Sequence, residues 1–350
     1  CSRYNNVMSL GNPQRNNFGA NIVVIGGGTG SFVVLSGLRN YVRDITALVS
    51  MADDGGSTGQ LRDEYGVLPP GDVRQCLVAL SHSPKIRELF NFRFDGGSFS
   101  GHSFGNLFLT ALEQMTGDFA KAIELAEEVL RVDGHVLPVT LDRVTINLDH
   151  GADKILRHER EIDGVKFAKL HPKLWLTDES DSRNIDPNPA ALAAIEKADL
   201  VVIAPGELYK SIGPALAVPG IGSALANTKA RKIYISNLVN KPGQETDFSV
   251  ADYCDEIERL AGATFLDYVI YNVHQPSKKL LERYAQQGEL PVRIDSERLR
   301  KGHYFAKGTE LLAGKIWSSS AKSDPIANQR TLIRHDPDAV ARAIMKIYFA

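Results

Sequence analysis

Four glycines, Gly26, Gly27, Gly28 and Gly30, fall within five residues directly after the apolar run 21–25 (NIVVI), with the Thr29 hydroxyl among them. Glycine lets a backbone approach a phosphate closely. A helix that follows aims unpaired N–H groups and the positive end of its dipole at an anion. The turn is not a Walker loop, because no Lys-Ser/Thr pair follows, and Ser31 stands where a complete G-x-G-x-x-G would have its third glycine. Phosphate binding is the chemistry it suggests, with a bare strand-to-helix turn as the alternative.

A second cluster, Asp53-Asp54-Gly55-Gly56-Ser57-Thr58-Gly59, follows the apolar run 44–50. A single acid at such a strand end could hold ribose hydroxyls in a nicotinamide-binding domain. The paired carboxylates and the Ser57 and Thr58 hydroxyls instead suit a flexible polar loop that places Mg²⁺ against ligand phosphates. Asp-Gly and Ser-Gly are also ordinary turn formers. Asp72, after Pro69-Pro70-Gly71, has the type and position of a helix N-cap. Arg74 in the next turn opposes the helix dipole, so an anionic partner is expected, either Asp72 or a phosphate.

The stretch Gly101-His102-Ser103-Phe104-Gly105-Asn106 matches G-x-S-x-G, but the residues before it (DGGSFS) are loop-like, and a nucleophile elbow needs a strand there. Ser103 or Asn106 donating to a phosphate at a helix N-terminus fits better, and Ser103 as a plain N-cap is the simpler alternative. Another strand-end loop, 204–212, offers Gly206 and Ser211, and the loop 237–246 ends the following strand in the same way.

These loops need a scaffold that gathers them. Apolar runs at 21–25, 44–50, 200–204, 232–236 and 268–272 alternate with helical spacing at 31–40, 68–82, 107–115, 119–131, 190–197, 250–260, 277–286 and 337–349. That rhythm predicts an α/β fold, a Rossmann-like, doubly wound and mostly parallel sheet. Ligands of such sheets bind beyond the C-terminal strand ends. A β-rich extension is expected at 136–175, with strands at 144–148 and 165–170. Residues 52–59 and 295–330 are expected to be irregular. Residues 1–18 read as a flexible arm, and 19–350 as one large domain.

The 350 residues carry 40 Lys+Arg against 42 Asp+Glu, a balance of −2 that argues against a general nucleic-acid binder. Three cysteines and nine histidines without paired spacing give no sign of a dedicated transition-metal site. No apolar run approaches the ~20 residues of a membrane span, and the first twenty residues are too polar for a secretory signal. Cytoplasm is the expected location.

Taken together, GGGTG at 26–30, ADDGGSTGQLR at 52–62, PPGDVRQCLVAL at 69–80, GHSFGN at 101–106, the 205–212 loop and RHD at 334–336 resemble the YvcK/CofD-like family. That family comprises gluconeogenesis factors and, more distantly, 2-phospho-L-lactate transferases. The resemblance implies a Rossmann-like fold binding a nucleotide or nucleotide-sugar in the rim crevice. For the transferase branch it implies a divalent metal, Mg²⁺, at Asp53, Asp54 and Asp72. For the gluconeogenesis-factor branch it implies a ligand like UDP-N-acetylglucosamine, contacted by Tyr284 and Arg334, together with a role in carbon metabolism and cell shape and with homodimers. The wording of the motifs is nearer the second branch. The chain departs from the family pattern at Glu207 and Lys210, at 240–246, and at 317–328.

Overall fold

The computed structural model describes residues 19–313 and 333–350, apart from 179 and 287. The arm at 1–18 and the stretch 317–328 lie outside the described residues.

Ten strands run in chain order: β1 (Ile22–Ile25), β2 (Ile45–Val49), β3 (His135–Pro138), β4 (Thr145–Asp149), β5 (Leu156–Arg157), β6 (Lys173–Thr177), β7 (Leu200–Ile203), β8 (Arg231–Ile235), β9 (Tyr268–Asn272) and β10 (Phe305–Thr309). Seven form one sheet in the order β10-β9-β8-β7-β1-β2-β3, and every pairing in it is parallel. The central strands read IVVI and LVVI and are buried along their whole length, as a parallel sheet covered on both faces requires. Helices Gly28–Leu38 and Pro70–Leu80 pack against each other, and Pro337–Tyr348 packs on the first of them.

From β1 the chain moves to one side through β2 and β3, and β7, on the other side of β1, carries the sheet outward through β8, β9 and β10. The order therefore reverses between β1 and β7. Loops leaving the C-terminal ends of two such strands diverge and leave a crevice between them.

The doubly wound parallel sheet expected from the sequence is present. Four local expectations are corrected. Residues 165–170 form no strand: the Phe167 N–H goes to Gly243 O, and those of Ala168 and Lys169 go to His150 O, so this segment docks as a loop. β4 pairs instead with β5 and β6 in a small antiparallel sheet. β3, placed by sequence in that extension, joins β2 at the edge of the large sheet. The loop expected at 52–59 becomes the helix Gly56–Tyr65, whose first turn uses the very glycines and hydroxyls read as flexible. Within 295–313 the chain forms helix Ser296–Lys301 and β10, whose exposed edge gives it little apolar patterning to read. Among the described residues no helix is long and apolar enough to cross a membrane.

Candidate functional site

A crevice of about 590 Å³ opens at the reversal point, lined on one side by Gly27, Gly28, Thr29 and Gly30 after β1 and on the other by Pro205, Gly206, Glu207, Lys210 and Ser211 after β7. Helix Gly28–Leu38 begins inside it, and the first N–H groups of a helix have no partner within the helix. The two walls touch. A Cβ on Gly30 would lie 1.6 Å from Pro205 O, and one on Gly27 would lie 1.8 Å from Asp72 Oδ2, so only glycine permits this closeness. Asn237, at the end of β8, locks the second wall by accepting from the Gly206 N–H (3.0 Å) and donating to Gly206 O (2.8 Å).

Asp72 is not the cap of its own helix, which Pro69 occupies. Its Oδ1 accepts the Gly28 N–H at 2.9 Å, across the crevice floor. Burial and the nearby Asp53 carboxylate push Asp72 up to about 7, opposed by that hydrogen bond and by Arg74. Asp53 also lines the crevice and accepts from the Gly55 N–H at 2.9 Å. Glu159, on the short helix His158–Ile162, joins them, and burial together with Asp53 pushes it up to about 9.

The adjacent acids part company. Asp54 turns away from the crevice and holds the extension: its Oδ1 accepts the Glu159 N–H at 2.9 Å, and its Oδ2 pairs with His158 Nδ1 at 2.9 Å. Among the described residues no group of three or more His, Cys, Asp or Glu side chains is arranged to hold a metal ion. Mg²⁺ asks less of a protein, commonly one or two carboxylates with ligand phosphates and water. Asp53 and Asp72 are hard oxygen donors beside a helix N-terminus and fit that share; Asp54 does not reach it.

Lys210 crosses the rim. Its Nζ lies 2.9 Å from Glu207 Oε2, 3.4 Å from Glu159 Oε1 and 3.3 Å from Asp163 Oδ1, and Lys241 Nζ reaches Glu207 and Asp163, each at 3.3 Å. Burial works against the Lys210 charge, but these acids raise it above the ordinary lysine range. The Glu207 and Lys210 departures from the family pattern thus tie the small sheet's helix to the crevice edge.

Of the residues singled out by sequence, Gly27, Gly28, Thr29, Gly30, Asp53, Asp72, Gly206, Ser211 and Arg334 line the crevice. Gly26 sits just beneath, against Ala204 and Ser31. Tyr284 stands behind the wall, its hydroxyl accepting the Ile333 N–H at 2.9 Å. The others gather elsewhere. Arg74 Nε donates to Asn106 Oδ1 (2.8 Å) and its Nη1 to Asn91 Oδ1 (2.5 Å), while its charge also acts on Asp72, one of the two anionic partners expected. Ser103 caps helix Phe104–Thr116 by accepting the Asn106 N–H at 3.3 Å, and Asn106 reaches Ser57 at 3.5 Å. Thr58 and His102 are buried and line no part of the crevice. Sequence reasoning missed Glu159, Asn237, Glu245, Glu289 and His335 as wall residues. Asn237 and Glu245 carried a signal as members of the strand-end loop 237–246, and His335 as part of the RHD motif.

The model of the family described as 2-phospho-L-lactate transferase CofD matches residues 22–312, which spans both crevice walls. The chain belongs to the CofD family. Within it, the chain is similar to the gluconeogenesis factor of Bacillus subtilis, at 35% identity over 93% of this chain and 97% of that protein. It is 36% identical to the gluconeogenesis factor of Listeria innocua, over 93% of this chain and 94% of that one. The crystal structure of a UPF0052 family protein from Bacillus halodurans superposes with a TM-score of 0.82 and 35% identity, covering 93% of this chain and 99% of the other. This CofD-family chain therefore combines a transferase family's model with the close likeness of gluconeogenesis factors.

Proposed function

We propose that this CofD-family protein binds a nucleotide sugar of the UDP-N-acetylglucosamine kind in the crevice between β1 and β7. It would act in the cytoplasm, as a homodimer, as a regulator of carbon metabolism and cell shape. The observation that carries the reading is the start of helix Gly28–Leu38 inside the crevice, facing Asp53 and Asp72. The Thr29 and Gly30 N–H groups suit phosphate oxygens. The lining holds six carboxylates, Asp53, Asp72, Glu159, Glu207, Glu245 and Glu289, against three cations, Lys210, Lys241 and Arg334. A diphosphate entering beside Asp53 and Asp72 needs a countercharge, and Mg²⁺ held by those two residues would supply it. Arg334 is the cation assigned to the ligand, because it lines the crevice and stands at the RHD motif that the family resemblance links to ligand contact.

Calorimetry tests this. UDP-N-acetylglucosamine with magnesium should give saturable heat, and Arg334→Ala should weaken it at least tenfold. Absence of heat with UDP and GDP sugars alike would overturn the reading.

The family model favours a second reading, transfer of a phospho-acid group from a nucleotide-activated donor. In that case Asp53 and Asp72 would hold the cation, whose charge would stabilise the transferred phosphoryl group. Asp53→Asn would then abolish turnover and spare nucleotide binding.

A further inference from the structure

Two strands away from the glycine turn, at roughly 10 Å by strand spacing, the loop after β8 closes the crevice with Lys241 and Glu245, and Glu207 and Glu289 stand beside them. Neither the phosphates nor the cation of the reading above makes use of Glu245. The residue is 1% exposed and lines the crevice, yet its Oε2 has no hydrogen-bond partner among the described residues. The backbones of Leu208 and Lys241 lie close enough to its carboxyl to favour the charged form.

Three tyrosines and a lysine that interact electrostatically with Glu245 are committed elsewhere. Tyr209, from the segment after β7, donates to Glu256 Oε1 at 2.9 Å. Tyr253, from helix Val250–Ala261, donates to Asn240 Oδ1 at 3.1 Å, and Tyr234 of β8 reaches Asn237 Oδ1 at 3.4 Å. Lys241 Nζ is held by Glu207 and Asp163. A buried polar atom left unpaired costs stability, and native proteins keep few of them. One on a residue that lines a crevice is placed for a partner from outside the chain.

We propose that Glu245 is a specificity-determining residue whose Oε2 hydrogen-bonds an uncharged hydroxyl or amide on the group linked to the nucleotide. The proposal rests on the nucleotide-sugar reading and adds the chemistry of the sugar end. Burial, followed by the charge of Glu207, pushes Glu245 up to about 8, against the Leu208 and Lys241 backbone and the Lys241 charge. At neutral pH it is therefore mostly the acid, able both to donate and to accept. The Glu207 and Glu289 carboxylates beside it disfavour an anionic end group, which would be left desolvated among like charges.

The test compares UDP, UDP-N-acetylglucosamine and UDP-glucuronate by calorimetry on the full chain, Glu245→Ala and Glu245→Gln, with thermal unfolding as a check of folding. The parent should bind UDP-N-acetylglucosamine at least tenfold more tightly than UDP or UDP-glucuronate. Glu245→Ala should reduce that ratio below threefold and leave UDP affinity unchanged. Glu245→Gln should keep most of the preference and hold it at pH 9, where the parent carboxyl ionises and loses it. An unchanged ratio in Glu245→Ala, or a parent that prefers the glucuronate, overturns the subsite. Should Glu245→Ala fail to fold, equal pH dependence in the parent and Glu245→Gln overturns it. UDP binding with unaltered ratios removes this subsite alone, whereas absence of binding by all three probes removes the nucleotide reading with it.

Discussion

Asp72 Oδ1 accepts the Gly28 N–H at 2.9 Å, so a carboxylate already sits at the helix N-terminus that a phosphate would approach. The contact exists because Gly27 has no side chain; its Cβ would fall on Asp72 Oδ2. Without ligand, Asp72 satisfies one orphan donor. With ligand, the same charge opposes a phosphate unless a cation lies between them. Asp72→Asn keeps the shape and removes the charge. It should tighten UDP binding severalfold in chelator and abolish the gain from magnesium that the parent shows. Calorimetry with and without magnesium measures this, and equal magnesium dependence in the two proteins would free Asp72 of that role.

Gly30→Ala places a methyl 1.6 Å from Pro205 O, a backbone atom of the opposite wall. The walls must part, at a cost of about 1–3 kcal/mol typical of overpacking. Urea unfolding should show that loss, and nucleotide affinity should fall with it. Gly96→Ala is the control, since nothing among the described residues lies within 4 Å of its added Cβ; it should change stability by less than about 0.5 kcal/mol. Equal behaviour of the two variants would mean that the walls do not touch in solution.

His335 is buried in the crevice wall with Nε2 donating to Ser236 O at 3.0 Å. Burial pushes its imidazole down to about 4 from 6.5, against the hydrogen bond to Ser236. The unfolded chain therefore takes up a proton at higher pH than the folded one. Stability contributed by the neutral ring is complete above pH 6.5 and is lost as pH falls toward 4, by on the order of 2–3 kcal/mol. Urea titrations across that window should show a steeper acid loss in the parent than in His335→Asn. Parallel curves would contradict the burial of the ring.

Lys210 joins Glu207, Glu159 and Asp163, acids from the loop after β7 and from the small sheet's helix. Lys210→Met leaves Glu159 without its lysine and leaves Glu207 and Asp163 to Lys241 alone. Because those acids are partly exposed, the cost should be about 1–3 kcal/mol, below that of breaking a fully buried pair. Amide exchange should quicken in β4 and β6 more than in β1 and β7. Uniform exchange would show that the clamp does not hold the extension.

The sheet was legible because β1, β2, β7 and β9 are short, continuous apolar runs between turn residues, the pattern that burial on both faces imposes. β10 was not, because an exposed edge strand reading FAKGT carries no such pattern. The glycine turns announced the crevice, since close backbone approach leaves its mark in residue type. Asp53 and Asp54 could not be told apart by sequence. Neighbouring side chains diverge, and only tertiary placement sends one to the crevice and the other to His158. In GHSFGN, Ser103 caps helix Phe104–Thr116 and Asn106 accepts from Arg74, features that look the same in sequence as a phosphate site. Glu159 had no local signal, because it reaches the crevice from a helix about a hundred residues further along the chain.

A crystal of the protein grown with UDP-N-acetylglucosamine and magnesium tests the central claim most directly. The account predicts diphosphate density within hydrogen-bond reach of the Thr29 and Gly30 N–H groups, with a cation between it and the Asp53 and Asp72 carboxylates. Density for the nucleotide anywhere else on the molecule, or a crevice holding only water while the ligand binds in solution, would contradict it.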